Sequence, residues 1–385
     1  MQGRDTICLM LLGSFTLQRR IIGLIIFFLL AGQIALFSAT AVMGIQKHSS
    51  EFYYVIRQSS CALLGLLLMW GVAQVPYLFW KKISYWLLGG QLILVAATHI
   101  APFKHFAYGA TRWLKLGPIL FQPSELAKIT ITIFCATILA RHKESPLVLK
   151  KWIANGIPVL IILGLIFKQP DLGTTTILVA VLMGMFFISG VRLSYLISFL
   201  GLGSLGFVFA IVQHTWRRQR LFAYLNPWAD PQGAGFQTIQ SFLSFHSGKL
   251  FGTGLGNGNS KLFFLPEVHT DFIFALIGEE MGFLGTITLL LLFTYFCYLL
   301  FKISFAAKDS FSCYLSFGLS LSMALQIAVN LGGVTGILPV KGLPLPFISW
   351  GRSALLVNLI LMGILLNIVQ SSSIIPEQKE IKTQH

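Results

Sequence analysis

The stretch IIGLIIFFLLAGQIALFSATAV, residues 21–42, decides what kind of molecule this is. It carries no charged residue over a length close to the roughly 20 residues a helix needs to cross a bilayer core. Backbone amides and carbonyls in hydrocarbon must be paired within their own segment, so such a run is a helix. Arg19 and Arg20 precede it, but no small-residue cleavage site follows, and it reads as a retained helix rather than a signal peptide.

Working outward, comparable runs are expected to span the membrane at 59–79, 83–100, 125–140, 152–167, 173–190, 193–212, 272–303, 313–336 and 353–369. The run at 272–303 exceeds one crossing, which predicts a tilted or protruding helix. Composition agrees: 55% of the 385 residues are hydrophobic and 11% charged, against about a quarter charged in soluble proteins. The expected fold is an all-α polytopic membrane protein of about ten transmembrane helices. Its long extracytoplasmic loop, residues 213–270, lies between spans seven and eight. Residues 1–20 and 370–385 are expected to be cytoplasmic tails flanking a membrane domain at 21–369.

Orientation follows from the basic clusters Arg19–Arg20, Lys81–Lys82 and Arg141, Lys143, Lys150 and Lys151. With alternating spans they share one side, which the positive-inside rule makes cytoplasmic. The 28 Lys and Arg nevertheless divide equally between the two sides. The outer set includes Lys104, Arg112, Lys115, Lys168, Arg217, Arg218, Lys249, Lys341 and Arg352. Singly these suit headgroup contact; together they predict an exterior site for something anionic. Cys8, Cys61, Cys135, Cys297 and Cys313 have no metal-ligand spacing and read as small apolar residues. The loop at 213–270 is rich in Gly, aromatics and amides, which predicts an ordered segment with short interfacial helices.

The 13 carboxylates can be narrowed by elimination to those that are outer or membrane-embedded: Glu51, Glu125, Asp171, Asp230, Glu267, Asp271, Glu279 and Glu280. Asp271 stands where the outer loop enters a span, beside His269; it suits a helix cap and equally a proton acceptor. Glu279 and Glu280 lie deeper, where an acid marks a paired or functional position. Glu125 and Lys128 share a helix face, which predicts an ion pair, either purely structural or one that also touches the site.

These motifs resemble one family, the SEDS proteins of shape, elongation, division and sporulation. The resemblance rests on GATRWLKLGPILFQPSELAK (109–128), KQPDLG (168–173) and NPWADP (226–231) with Gly235, Gln237 and Gln240 following. It extends through GTGLGN (252–257), LPEVHTDFIFALIGEEMGFLG (265–285) and GILPVKGLPLPFIS (336–349) leading into LLVN (355–358). The resemblance implies outward-facing chemistry in which lipid II is polymerised into glycan strands. Within the family, the Gly278–Glu279–Glu280 and Lys341–Gly342 elements lean toward the FtsW branch, which serves division, over the RodA branch, which serves elongation.

It implies Asp271 as the general base, with Arg112, Lys115, Lys128, Arg217, Arg218 and Arg352 as candidates for the substrate pyrophosphate. Glu125, Glu267, His269 and Ser349 are expected to support the site. A divalent cation, Mg2+ or Mn2+, is expected to come with the pyrophosphate, because no all-protein metal site is visible. Implied partners are lipid II, undecaprenyl-pyrophosphate-linked glycan, divisome proteins and a class B penicillin-binding transpeptidase. Nucleic acid is not expected, since the basic residues form no continuous stripe. The implied location is the bacterial inner membrane. Two departures stand out: His246–Lys249 replaces a more glycine-rich stretch, and Arg352 occupies a position that is Gly in the family, where it is expected to add to the pyrophosphate-binding charge. The other function classes open to this sequence are a flippase of lipid-linked precursors and a non-catalytic scaffold; no internal repeat of the transporter kind is visible.

Overall fold

A computed structural model describes residues 2–100, 104–107, 110–117, 119–141, 149–212, 215–258 and 268–374. The chain opens with three long helices, α1 (Gln2–His48), α2 (Tyr53–Gln74) and α3 (Tyr77–Ala97). After a small sheet come α4 (Pro123–Arg141), α5 (Leu149–Lys168), α6 (Leu172–Ile188) and α7 (Leu193–Val212). The outer loop then contributes α8 (Thr215–Leu225), a 3-10 turn at Pro227–Ala229 and α9 (Phe236–Gly248), so its described part is ordered as expected. The chain closes with α10 (Ile273–Phe305), α11 (Ser310–Val334) and α12 (Arg352–Ile374).

Six helical segments among the described residues are long and apolar enough to cross a membrane. They are Phe15–His48, Tyr53–Gln74, Pro123–Arg141, Ile273–Phe305, Ser310–Val334 and Arg352–Ser371. Large apolar side chains such as Trp70, Trp86, Phe187 and Phe305 face outward, while Phe28 stacks on Phe293 at 4.2 Å in the interior. This is a multi-pass membrane protein, apolar outside as well as inside.

Two features depart from the sequence reading. Residues 104–121 hold a three-stranded antiparallel sheet, β1 (Lys104–Ala107), β2 (Ala110–Leu116) and β3 (Ile119–Phe121), in an otherwise helical chain. Leu114 pairs with Phe121 and Leu116 with Ile119 across the β2–β3 turn. Second, α10 is not one continuous helix: it is kinked at Gly282, whose φ of 68° and ψ of −166° leave the helical region. That conformation is inexpensive only for glycine. The freed amides of Phe283 and Leu284 donate to the carbonyls of Lys249 and Leu250 (2.8 and 3.2 Å). In return Thr253 and Gly254 donate to Glu279 and Glu280 (2.9 and 3.1 Å). The kink and the end of the outer loop therefore pair like two short strands. A Cβ on Gly252 would stand 2.1 Å from the Glu280 carbonyl oxygen, so only glycine fits the crossing.

Between α11 and α12 the chain turns back into the protein without forming a helix. Leu343, Leu345, Phe347, Ile348 and Ser349 are all buried there. Irregular backbone at such depth needs partners for its polar groups. Asn330 Nδ2 donates to the Leu343 carbonyl (2.7 Å), Gln326 Nε2 to that of Pro344 (3.0 Å) and Gln58 Nε2 to that of Ser349 (3.0 Å). The Leu345 amide donates to Ser349 Oγ at 3.0 Å. The close approach of α1 at Gly32, where a Cβ would meet Ile348 Cα at 2.7 Å, completes the clasp.

Candidate functional site

A cavity of about 570 Å³ opens where the sheet, the outer loop, the re-entrant segment and the start of α12 converge. Among the described residues, four charged side chains line it: Arg112, Asp271, Lys341 and Arg352. The sheet supplies Arg112 and Trp113; α8 and α9 supply Tyr224, Gln237 and Thr238 on another wall. One carboxylate among three cations gives a lining that favours a polyanionic ligand while keeping one proton acceptor within the same space.

Each charge has a structural reason to be where it is. Arg112 donates to the carbonyls of Gln169 (3.4 Å) and Pro170, so the Lys168–Gly173 motif serves as its mount. Asp171 of that motif caps α6 by accepting from the Thr174 amide (3.2 Å) and also accepts from Ser124 Oγ (2.9 Å), which ties the motif to α4. Gln169 anchors the same turn through Thr98 Oγ1.

The cap position of α10 is Phe272, and Asp271 stands one residue before it. Its own carbonyl accepts from Asn330 Nδ2 at 2.9 Å. Its Oδ2 lies against Gly342, where a Cβ would stand 3.4 Å away, and Gly342 has a positive φ of 65° that suits glycine. Arg352 opens α12, its guanidinium 5.9 Å from the ring centre of Trp350. A cation at the positive end of a helix dipole is unfavourable alone, which sharpens the preference of this corner for an anion.

Other residues expected at the site lie elsewhere. Lys128 and Glu125 are buried as an ion pair at 2.6 Å, and Lys128 Nζ also donates to Gln326 Oε1 at 2.6 Å. Neither is among the described residues that line the cavity; Gln326 links the pair to the Pro344 carbonyl, whose residue lines it. Lys115 on β2 and Arg218 on α8 are exposed and lie outside the lining. Ser349 is buried and works inside the re-entrant turn. Arg217 lies in α8 with its side chain outside the described set, and Glu267 lies outside the described residues.

His269 is also buried away from the lining, its carbonyl accepting from the Trp350 amide (2.9 Å). Burial, with Lys47 nearby acting in the same direction, pushes its imidazole down to about 4, so it is neutral at physiological pH.

Lys341, Trp113, Gln122 and Gln237 were not singled out as site residues by sequence, although Lys341 belonged to the outer cation set. The signal for Lys341 was its setting: Pro339, Pro344 and Pro346 within eight residues forbid a regular helix and announce re-entrant backbone. Among the described residues no three His, Cys, Asp or Glu side chains gather closely enough to hold a metal ion.

Comparison with known proteins places this geometry in context. The family model FTSW_RODA_SPOVE, described as cell cycle protein, matches residues 18–374. A protein of Geobacter sp. (strain M18) named probable peptidoglycan glycosyltransferase FtsW is 38% identical over 342 residues, covering 88% of this chain and 92% of its own. Stage V sporulation protein E of Bacillus subtilis (strain 168) is 36% identical over 343 residues, covering 89% and 93%. Among solved structures, one described as structural coordination of polymerization and crosslinking by a peptidoglycan synthase complex is similar with a TM-score of 0.73 and 27% identity, covering 91% of this chain and 97% of that one. The rod shape determining protein RodA of Thermus thermophilus has a TM-score of 0.66 and 26% identity, with 91% and 96% covered.

Proposed function

From a chain that belongs to the FtsW/RodA/SpoVE family of cell cycle proteins, we infer a peptidoglycan glycosyltransferase that polymerises lipid II, with Asp271 as its general base. The observation that carries this reading is that Asp271 shares one cavity with Arg112, Lys341 and Arg352. The 4-hydroxyl of an acceptor N-acetylglucosamine attacks C1 of the donor N-acetylmuramic acid as undecaprenyl pyrophosphate departs, turning an α linkage into β. One in-line displacement accounts for the inversion.

A sugar hydroxyl is a poor nucleophile until its proton is taken, and a placed carboxylate contributes roughly 10²–10⁴-fold to that step. Asp271 accepts the proton as the new bond forms. Negative charge grows meanwhile on the leaving pyrophosphate, where Arg112, Lys341 and Arg352 stabilise it more than they stabilise the intact donor. The amides at the open start of α12 point the same dipole toward it. A divalent cation, Mg2+ or Mn2+, belongs here as a companion of the pyrophosphate, since no cluster of three His, Cys, Asp or Glu is found among the described residues.

The cavity faces the exterior of the bacterial inner membrane, with both termini cytoplasmic. Lys341–Gly342 and the Gly278–Glu280 element favour a role in septal synthesis alongside a class B penicillin-binding transpeptidase and other division proteins. Liposomes holding the purified protein and lipid II test the activity. Glycan strands are the expected product. Lipid II moved between leaflets without glycan would indicate a flippase, and neither outcome, even with the partner present, would indicate a scaffold.

A further inference from the structure

Asn330 carries no charge and does not line the main cavity, yet it grips the backbone on both sides of it. Its Nδ2 donates to the carbonyl of Asp271 at 2.9 Å and to that of Leu343 at 2.7 Å. An amide nitrogen has two protons, and both are used. One turn earlier on the same face of α11, Gln326 Nε2 holds the Pro344 carbonyl at 3.0 Å. Three carbonyls thus hang from two amide side chains of one helix.

We propose that Asn330 is a positioning residue: it sets the Asp271 carboxylate against the Lys341–Gly342 segment so that base and cation face the cavity together. Regular structure does not do this work. Asp271 lies just before the cap residue of α10, outside the helix, and residues 341–349 form no helix. The two irregular segments meet where Asp271 Oδ2 lies beside Gly342, and Asn330 is bonded to the backbone of both.

The helix that carries the tether is itself well fixed. Asp309 closes a capping box at its start, accepting from the amides of Phe311 and Ser312 (2.9 and 3.0 Å), and Leu315, Leu319 and Met323 lie in the core. Asn330 is 5% exposed, and its Oδ1 has no hydrogen-bond partner among the described residues. A buried acceptor left unpaired is a cost that an apolar residue would avoid, so the position is held by asparagine for its two donors.

The inference rests on the polymerase reading for its catalytic consequence but not for its structural one, and the experiment separates them. Asn330→Leu removes the donors at similar volume; Asn330→Gln keeps the amide on a longer arm. Polymerisation is measured per folded, monodisperse molecule across lipid II concentrations, and hydrogen exchange is followed at residues 268–272 and 341–345. The expected result for Asn330→Leu is a maximal rate about 10²-fold lower, the cost of misplacing a reacting group by about 1 Å. The half-saturating lipid II concentration should stay within about 3-fold, with part of the rate recovered by Asn330→Gln. Exchange should quicken in both segments together. An unchanged maximal rate, or unchanged exchange in both segments, overturns the proposal. Wild type that makes no glycan defeats the polymerase reading instead, and exchange alone then decides the tether. Should Asn330→Leu not fold, Asn330→Ala removes the same donors without adding a charge or an acceptor and is read the same way.

Discussion

Two irregular segments, residues 249–257 and 341–351, look alike in sequence: both are rich in glycine or proline, and both lie between helices. Their fates differ. In the first, the amides of Gly252, Thr253, Gly254 and Asn257 all donate within the protein, to Gly248, Glu279, Glu280 and Gly254. They brace the kink at Gly282. In the second, side-chain amides from α2 and α11 capture the carbonyls, and Lys341 and Arg352 are left at the cavity. Glycine content says only that the backbone is unusual. Where each amide and carbonyl finds its partner says what the segment is for.

That contrast predicts different injuries from different substitutions. The largest belongs to the cavity: Asp271→Asn lowers lipid II polymerisation by roughly 10²–10⁴-fold while leaving the melting temperature unchanged. On the bracing side, Gly252→Ala destabilises by about 1–3 kcal/mol, since its Cβ would meet the Glu280 carbonyl oxygen at 2.1 Å. Thermal denaturation in detergent detects that loss, and the rate per folded molecule stays near wild type. If Gly252→Ala instead changed only the half-saturating substrate concentration, the segment would act in substrate binding and not as a brace.

Arg352→Gly gives a smaller effect, a half-saturating lipid II concentration raised roughly 2–5-fold, the size of one partly exposed charge contact. Equal polymerisation by this variant and wild type would deny Arg352 a share in holding the pyrophosphate. The smallest effect is in pH. His269 is held down to about 4 from the 6.5 of a free histidine, so the unfolded chain binds its proton first. Its contribution to stability is full above pH 6.5 and is lost as pH falls toward 4. Melting temperature measured against pH should slope less in His269→Gln, while the pH dependence of the polymerisation rate keeps its shape.

Most of the fold was legible because hydrocarbon leaves an apolar run no alternative to a helix. The kink was not, since Gly282 is one glycine in a long apolar stretch and glycine is ordinary in transmembrane helices. The sheet was hidden for the same kind of reason: β3 has 3 residues, too few for alternation to register. Asp271 could be reached by elimination among few acids. Asn330 could not, because its importance depends on contact with the backbone of Asp271, 59 residues away in sequence, a juxtaposition no local pattern encodes. Lys128 looked like a site cation because its charge is plain in the sequence, whereas its burial against Glu125 and Gln326 is not.

The central claim, that one carboxylate in a cationic cavity makes glycan, is tested most directly by assaying wild type and Asp271→Asn side by side on lipid II. Both are assayed with the class B transpeptidase present and its crosslinking blocked. The account predicts long glycan from wild type and essentially none from an equally well-folded Asp271→Asn. Equal glycan from the two would contradict it and remove Asp271 as the base.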